Sequence, residues 1–302
     1  MALFAIGVIM ARGSNAHAGD TVVGGGNSGD SAGEEDELVK QRAAELKDEQ
    51  LYSQGHERPE GDFCPICTLP IPLPTSKHSV FNLCCMKRIC HGCDMAAQKS
   101  GMNDDCPFCR THYPKAGADS LAMIQARAAK KDPVAINFLG EKYFFGELGL
   151  QTDKRKGVEL WTKAAELGSL DALFHLGNAY DRGEMVQQDD AKAAEFYKKA
   201  AMQGHVLARH NLGFHEELMG DINSAKRHYL ISAKMGCKCS LDTIREMFRG
   251  GVATKEQYAQ ALRGYQDASD EMKSHDRDEA MRLGWNSVYR IGEAMAGKGM
   301  AG

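Results

Sequence analysis

The chain has 302 residues, of which 43% are hydrophobic and 26% charged, and its formal net charge is −4. This length accommodates two domains, or one domain beside a repeat array. The acidic balance argues against a general nucleic-acid coat protein, which needs a basic surface for phosphate, so we expect no nucleic-acid partner. A membrane-spanning helix needs about 18 consecutive apolar residues. No apolar run approaches that length, so we expect no membrane span.

Residues 1–60 are predicted to form a disordered N-terminal region with one short helix. The apolar start MALFAIGVIM and the Ala16-His17-Ala18 triplet resemble a secretory signal, although no basic segment precedes them. Whether residues 1–18 are cleaved therefore stays open. GGGNSGDSAG at 24–33 has the composition of a flexible linker. The charged stretch at 34–54 predicts a solvated helix whose acidic first turn suits the helix dipole.

Residues 61–115 contain eight of the ten cysteines. Such clustering indicates a local metal site and a reducing, intracellular compartment, cytoplasmic or nuclear, rather than a disulfide framework. Two residues between paired cysteines form a turn that points both sulfurs at one ion. The cysteines are three CxxC pairs, Cys64/Cys67, Cys90/Cys93 and Cys106/Cys109, and the adjacent residues Cys84 and Cys85. Eight thiolates predict two structural zinc ions. Each ion would contribute roughly 10–16 kcal/mol to the folding free energy of a segment that is too small to bury its own core.

The adjacent cysteines leave one question about the ligands open. Neighbouring side chains tend to diverge, so binding of one ion by both Cys84 and Cys85 requires a sharply bent loop. That all-cysteine set is the simplest solution. The alternative pairs one of the two cysteines with His78 or His91.

From residue 118 to about 270 the sequence repeats with a period near 36. The paired alanines beginning at Ala128, Ala164 and Ala200 show this spacing. Such a period is typical of a solenoid, and each unit reads as two helices. Asp132-Pro133 predicts a helix start, with an N-cap and a proline at the first position. We expect a mainly α protein: an α-solenoid of helix-turn-helix repeats behind a small two-zinc domain, with a C-terminal helix and flexible tail over 271–302.

The cysteine pairs, in this order, resemble a RING finger. The resemblance implies a cross-brace in which the first and third pairs bind one zinc and the second and fourth bind the other. It also implies contacts with a ubiquitin-conjugating enzyme through Ile66, Pro107 and Arg110. The helix after Cys93 lacks the large apolar anchor of many RING fingers, and Met95 is its best candidate. Phe63, Phe81 and Phe108 are expected to pack beneath the zinc loops.

The repeats resemble Sel1-like repeats, which are related to tetratricopeptide repeats. The matching residues are Leu176-Gly177 with Tyr180, and Trp161 before Lys163-Ala164-Ala165. The resemblance implies a protein-binding scaffold. Together the two resemblances imply a RING-type ubiquitin ligase without a covalent intermediate, whose solenoid binds a protein substrate or adaptor. The alternative is a non-enzymatic, zinc-stabilised interaction scaffold.

Overall fold

The computed structural model describes residues 42, 49, 51–114 and 116–285. The chain divides into two units, Met1–Leu46 and Lys47–Gly302, and every element named below belongs to the second. The signal-like start at 1–18, the linker at 24–33 and the tail at 286–302 lie outside the described residues.

The described part of the second unit is mainly α-helical, as predicted. The elements are β1 Ser79–Asn82, β2 Lys87–Cys90, α1 His91–Lys99, α2 Gly117–Ala128, α3 Pro133–Phe145, α4 Lys154–Glu166, α5 Leu170–Arg182, α6 Asp190–Ala201, α7 Val206–Leu218, α8 Ile222–Lys234, α9 Lys238–Arg249, α10 Lys255–Glu271 and α11 His275–Arg282. The two strands pair antiparallel, with Ser79 opposite Cys90. In the described ranges, no helix is long and apolar enough to cross a membrane.

Local signals in the sequence set the helix boundaries of the repeats. Asp132 caps α3 by accepting hydrogen bonds from the Val134 and Ala135 amides, with Pro133 at the first position. The same side-chain cap begins the later helices at Asp153, Ser169, Asp189 and Asp221. Gly183 ends α5 in the left-handed conformation at φ 66°, which a glycine adopts without steric cost.

The paired helices of each repeat pack closely because a glycine faces an aromatic ring. The pairs are Gly140 with Trp161, Gly177 with Tyr197 and Gly213 with Tyr229. A Cβ on these glycines would lie 2.8, 2.5 and 3.0 Å from the facing ring. The aromatic side chains of the second helices are buried there, and each belongs to the core of its own part of the array.

The chain just before the cysteine block packs against the repeats. Leu51 is 4% exposed and shares a core with Tyr197 and Leu212. The buried Arg209 donates hydrogen bonds to the Leu51 carbonyl at 2.7 Å and to the Gln54 carbonyl. Within the stretch that we expected to be a solvated helix, Leu51 is therefore buried, because this apolar side chain has a partner surface that the local sequence does not reveal.

The cysteine-rich segment completes its core with residues of the array. Phe81 on β1 stacks on Phe138 of α3, with ring centroids 4.8 Å apart. Leu83 and Met86 join the same core, together with Ile124 of α2. Phe81 therefore packs on the array rather than beneath a zinc loop, contrary to expectation. At the other end of the array, α11 packs against α1.

Candidate metal centre

The first cysteine group joins a turn to the start of α1. The Sγ atoms of Cys64, Cys67, Cys90 and Cys93 all lie within 4.8 Å of one another. Cys90 ends β2 and Cys93 lies in the first turn of α1, so the strand–helix junction presents both sulfurs to the turn that carries Cys64 and Cys67. The Cys90 amide donates to the Cys64 sulfur at 3.4 Å, and the Cys93 amide donates to the Cys90 sulfur at 3.5 Å.

The second group joins the β-hairpin turn to the last CxxC pair. The Sγ atoms of Cys84, Cys85, Cys106 and Cys109 also lie within 4.8 Å of one another. The chain bends sharply after Asn82, whose carbonyl accepts from the Cys85 and Met86 amides, and Met86 has a φ of 53°. This bend resolves the problem of adjacent ligands, because both side chains can then reach the same pair of sulfurs.

The turns of the first and last CxxC pairs share one backbone geometry. The Thr68 amide donates to the Cys64 carbonyl at 2.8 Å, and the Arg110 amide donates to the Cys106 carbonyl at 2.9 Å. Thr68 and Arg110 have φ values of 59° and 62°, the left-handed conformation. The backbone thus turns at equivalent positions, which brings both sulfurs of each pair to one side.

The two groups fit tetrahedral zinc. A zinc–sulfur distance of about 2.3 Å places tetrahedral ligands about 3.8 Å apart. The Sγ–Sγ distance is 3.8 Å between Cys67 and Cys90, 3.8 Å between Cys85 and Cys106, and 3.3 Å between Cys84 and Cys109. Four sulfurs would close each site to water, so a bound ion would be structural rather than catalytic.

Hydrogen bonds among the sulfurs shift the pKa values of the thiols, downward for Cys64 and upward for Cys85. The hydrogen bond with Cys67 raises the pKa of Cys64, but those with Cys90 and Cys93 lower it to about 6. In the second group the hydrogen bond with Cys106 raises the pKa of Cys85 to about 12. Metal ions bind thiolates, so loading of either group must displace protons and weakens as pH falls.

Neither histidine of the alternative ligand set lies in a cysteine group. Among the described residues both groups consist of cysteines alone. The His91 amide donates to the His78 carbonyl at 3.1 Å, which places both residues beside the β2–α1 junction. The geometry therefore favours the all-cysteine set, and metal analysis of variants remains its test.

The residues predicted to contact a conjugating enzyme lie at the two CxxC turns. Ile66 is 43% exposed, Pro107 is half-buried and Arg110 is exposed. Phe108 is 45% exposed, so it does not pack beneath the zinc loop as expected. Met95, the candidate anchor on α1, is 1% exposed and belongs to the interior instead.

Two arginines of the helical region reach the cysteine groups, and sequence reasoning missed both. Arg277 of α11 donates to the Cys67 sulfur at 3.4 Å. Arg127 of α2 donates to the Cys84 carbonyl at 2.8 Å. No spacing rule marks either residue, because each contact joins parts of the chain that are far apart in sequence.

Comparison with known proteins identifies the repeats. The family model described as "Sel1 repeat" matches residues 133–169 and 170–205, which contain α3–α4 and α5–α6. The predicted Sel1-like repeats are thus confirmed for these two units.

Two curated relatives from Arabidopsis thaliana share a segment with this chain. The ERAD-associated E3 ubiquitin-protein ligase components HRD3A and HRD3B are each 37% identical to it over 91 residues. The match covers 28% of this chain, but only 13% of HRD3A and 15% of HRD3B. The similarity therefore concerns a small part of those proteins.

Solved structures of repeat proteins are similar to this chain. A Sel1 repeat protein from Oxalobacter formigenes is 24% identical, with a TM-score of 0.45, over 50% of this chain and 64% of its own. A protective antigen of uropathogenic Escherichia coli with an SLR fold is 21% identical, with a TM-score of 0.44, over 64% of this chain and 41% of its own.

Proposed function

We propose that this protein is a RING-type ubiquitin ligase that acts inside the cell. Its cysteine segment, residues 61–115, binds two structural zinc ions and docks a ubiquitin-conjugating enzyme. Its Sel1 repeats bind a protein substrate or an adaptor. Such a ligase needs no nucleophile of its own, since it accelerates transfer by orienting the ubiquitin thioester of the docked enzyme. The interleaved order of the two four-sulfur groups is the observation that carries this proposal.

The exposed residues at the CxxC turns supply a docking surface. Ile66 and Phe108 are large apolar side chains left in contact with water, as protein-binding surfaces require. Arg110 follows the last cysteine, and its Nη1 lies 2.9 Å from the Met102 sulfur, which limits its rotation. A guanidinium held in place loses less conformational entropy when it bridges two proteins.

The repeats support the binding of a protein partner. Sel1 repeats are interaction modules, and the two relatives with a similar segment are named as ubiquitin-ligase components. In this proposal the array positions a substrate lysine near the docked conjugating enzyme. None of the ten cysteines forms a disulfide in the structure, and clustered cysteines that bind zinc suit a reducing compartment.

A second candidate function is a zinc-stabilised scaffold without ligase activity. The burial of Met95 favours it, because α1 then offers no large apolar side chain to a conjugating enzyme. The two candidates make opposite predictions for ubiquitin discharge.

Discharge of ubiquitin from charged conjugating enzymes to free lysine tests the proposal. We expect the full chain with bound zinc to accelerate discharge for at least one enzyme of a panel. Arg110→Ala should lower the rate about 10-fold, the loss of one charge-assisted hydrogen bond in the transition state. Ile66→Ala should weaken binding of the conjugating enzyme, measured by calorimetry.

The controls are an exposed arginine and an exposed apolar residue of the array. Arg263→Ala on α10 and Met219→Ala after α7 should leave discharge and binding unchanged, because both side chains are exposed and neither belongs to the cysteine segment. A zinc-loaded protein that accelerates no discharge would instead identify it as a scaffold.

A further inference from the structure

Arg277 extends from α11 into the first cysteine group. It is 8% exposed, and its guanidinium contacts three atoms of the cysteine segment, residues 61–115. Nη1 donates to the Pro70 carbonyl at 2.6 Å, whereas Nη2 donates to the Leu69 carbonyl at 3.1 Å and to the Cys67 sulfur at 3.4 Å. Nη1 also donates to the Met272 carbonyl at 2.7 Å. This bond holds the guanidinium against the backbone that precedes α11.

In the part of the chain that the structure describes, no carboxylate pairs with the buried charge of Arg277. Its hydrogen-bond partners among the described residues are three carbonyl oxygens and one sulfur. A buried cation is costly unless a negative charge lies nearby. Four thiolates around a divalent ion carry a net charge of −2, so a loaded first site supplies that negative charge.

The backbone of α11 fits closely against α1. A Cβ on Gly92 would lie 2.7 Å from the Arg277 amide nitrogen, so only glycine permits this approach. The Trp285 indole donates to the Asp94 carboxylate at 2.9 Å, and Lys99 pairs with Glu279 at 2.9 Å. These contacts join the helix that carries two cysteines of the first group to the last described helix.

Among the described residues, no cation donates to a sulfur of the second group as Arg277 does in the first. Arg127 reaches the Cys84 carbonyl rather than a sulfur, and its guanidinium is already paired with Asp132 at 2.8 Å. Cys109 of this group is exposed to solvent. The two groups therefore differ in two ways. Only the first has an arginine donating to a sulfur among the described residues, and the second is more accessible to chelators and alkylating reagents.

We propose that Arg277 is the outer-shell cation of the first zinc site, and that zinc binding there holds α11 against the cysteine segment. This inference rests on the two zinc ions of the proposed function but not on ligase activity. Outer-shell partners orient metal ligands and stabilise their charge, and their loss costs about 10- to 100-fold in metal affinity. Loss of zinc from the first site would release α11, since Arg277 would then be a buried cation without compensation.

The test compares zinc affinity in Arg277→Gln and Arg282→Gln, two variants of the same helix in the full chain. Arg282 is exposed, so its variant controls for the loss of one positive charge from α11. Competition with a chromogenic chelator, with zinc counted by native mass spectrometry, gives the affinity of each site. Mapping of alkylated cysteines shows which group has emptied. We expect Arg277→Gln to weaken the Cys64/Cys67 group about 10- to 100-fold, whereas Arg282→Gln changes neither site.

Hydrogen exchange of the wild-type chain supplies a second readout that needs no variant. As chelator empties the first group, amide exchange in α11 should rise while exchange in α3 stays slow. Equal affinity in the two variants, or an α11 that stays protected after Cys64 and Cys67 become alkylated, would overturn the inference. Failure of ubiquitin discharge in a protein that keeps both zinc ions would overturn only the proposed function.

Discussion

His228 of α8 is a fully buried histidine that faces Tyr52, in the stretch just before the cysteine segment. Its ring lies 5.0 Å from that of Tyr52, centroid to centroid. Burial, together with the charge of Arg209, lowers the pKa of His228 from 6.5 to about 3. The folded protein therefore keeps this ring neutral through a range of pH in which the unfolded chain protonates it.

His228 should make the array sensitive to acid. Below pH 6.5 the unfolded chain binds a proton here that the folded chain does not, so stability falls until about pH 3. The slope is at most about 1.4 kcal/mol per pH unit. We expect His228→Leu to lose less stability than wild type between about pH 7 and pH 5, measured by urea unfolding. His275→Leu, at an exposed ring, should keep the wild-type pH dependence, and equal slopes for all three proteins would contradict the prediction.

At the scale of the helix pair, the repeats depend on contacts between a glycine and an aromatic ring. Gly177 of α5 faces the ring of Tyr197 on α6, and the Tyr197 hydroxyl donates to Asn178 at 2.8 Å. The first and third units contain the same arrangement at Gly140 and Gly213. Because this contact recurs in three units, it is a property of the repeat itself. The close approach of the ring explains why glycine occurs at the centre of these helices.

Gly177→Ala should destabilise the protein although alanine is the better helix former. The helix gains about 1 kcal/mol from the exchange, but the new Cβ would lie 2.5 Å from the Tyr197 ring. Overpacking of this kind costs about 1–3 kcal/mol, and more where the neighbour is a buried ring, so we expect a net loss of about 1–2 kcal/mol in urea unfolding. Gly117→Ala at the start of α2 meets no atom within 4 Å and should not destabilise. If Gly177→Ala raised the free energy of unfolding instead, α5 and α6 could move apart at low energetic cost.

On the scale of the whole second unit, the cysteine segment contacts the array at its start, its middle and its end. Phe81 packs on α3, Leu73 packs against Val206 and Ile231, and Arg277 joins α11 to the first cysteine group. The exposed CxxC turns are therefore held in a fixed orientation relative to the repeats. A ligase of this design would orient its substrate through a rigid body rather than through a flexible linker.

This arrangement predicts that the cysteine segment and the repeats unfold together. Phe81→Ala removes a ring that the cysteine segment contributes to the core of α2 and α3, at a cost of about 3–5 kcal/mol. We expect the urea midpoint of the helical circular dichroism signal, which reports mainly the array, to fall in this variant. Phe145→Ala, at a ring that is 60% exposed, serves as the control and should change the midpoint little. An unchanged helical transition in Phe81→Ala would mean that the cysteine segment and the array unfold independently.

The features that the sequence predicted correctly arise from residues close to one another in the chain. The helix start at Asp132-Pro133 follows from a side chain that caps the next amides, and the repeat pairs follow from a period near 36. The two cysteine groups of the structure have the members that the RING resemblance implied. The bend at Met86 that brings Cys84 and Cys85 together was not predicted, because nothing in the residue type requires a left-handed conformation there.

By itself the sequence determined the kinds of unit in this protein: caps, helix pairs, Sel1 repeats and a cysteine block with the donors for two metal ions. These are encoded in spacing and periodicity, which act over a few tens of residues. Only the tertiary structure decided that Leu51, Phe81 and Met95 are buried, and that Arg277 lies beside Cys67, 210 residues away in the chain. Such contacts follow from complementary surfaces, whose apolar area and buried charge find their partners only when the whole unit has folded.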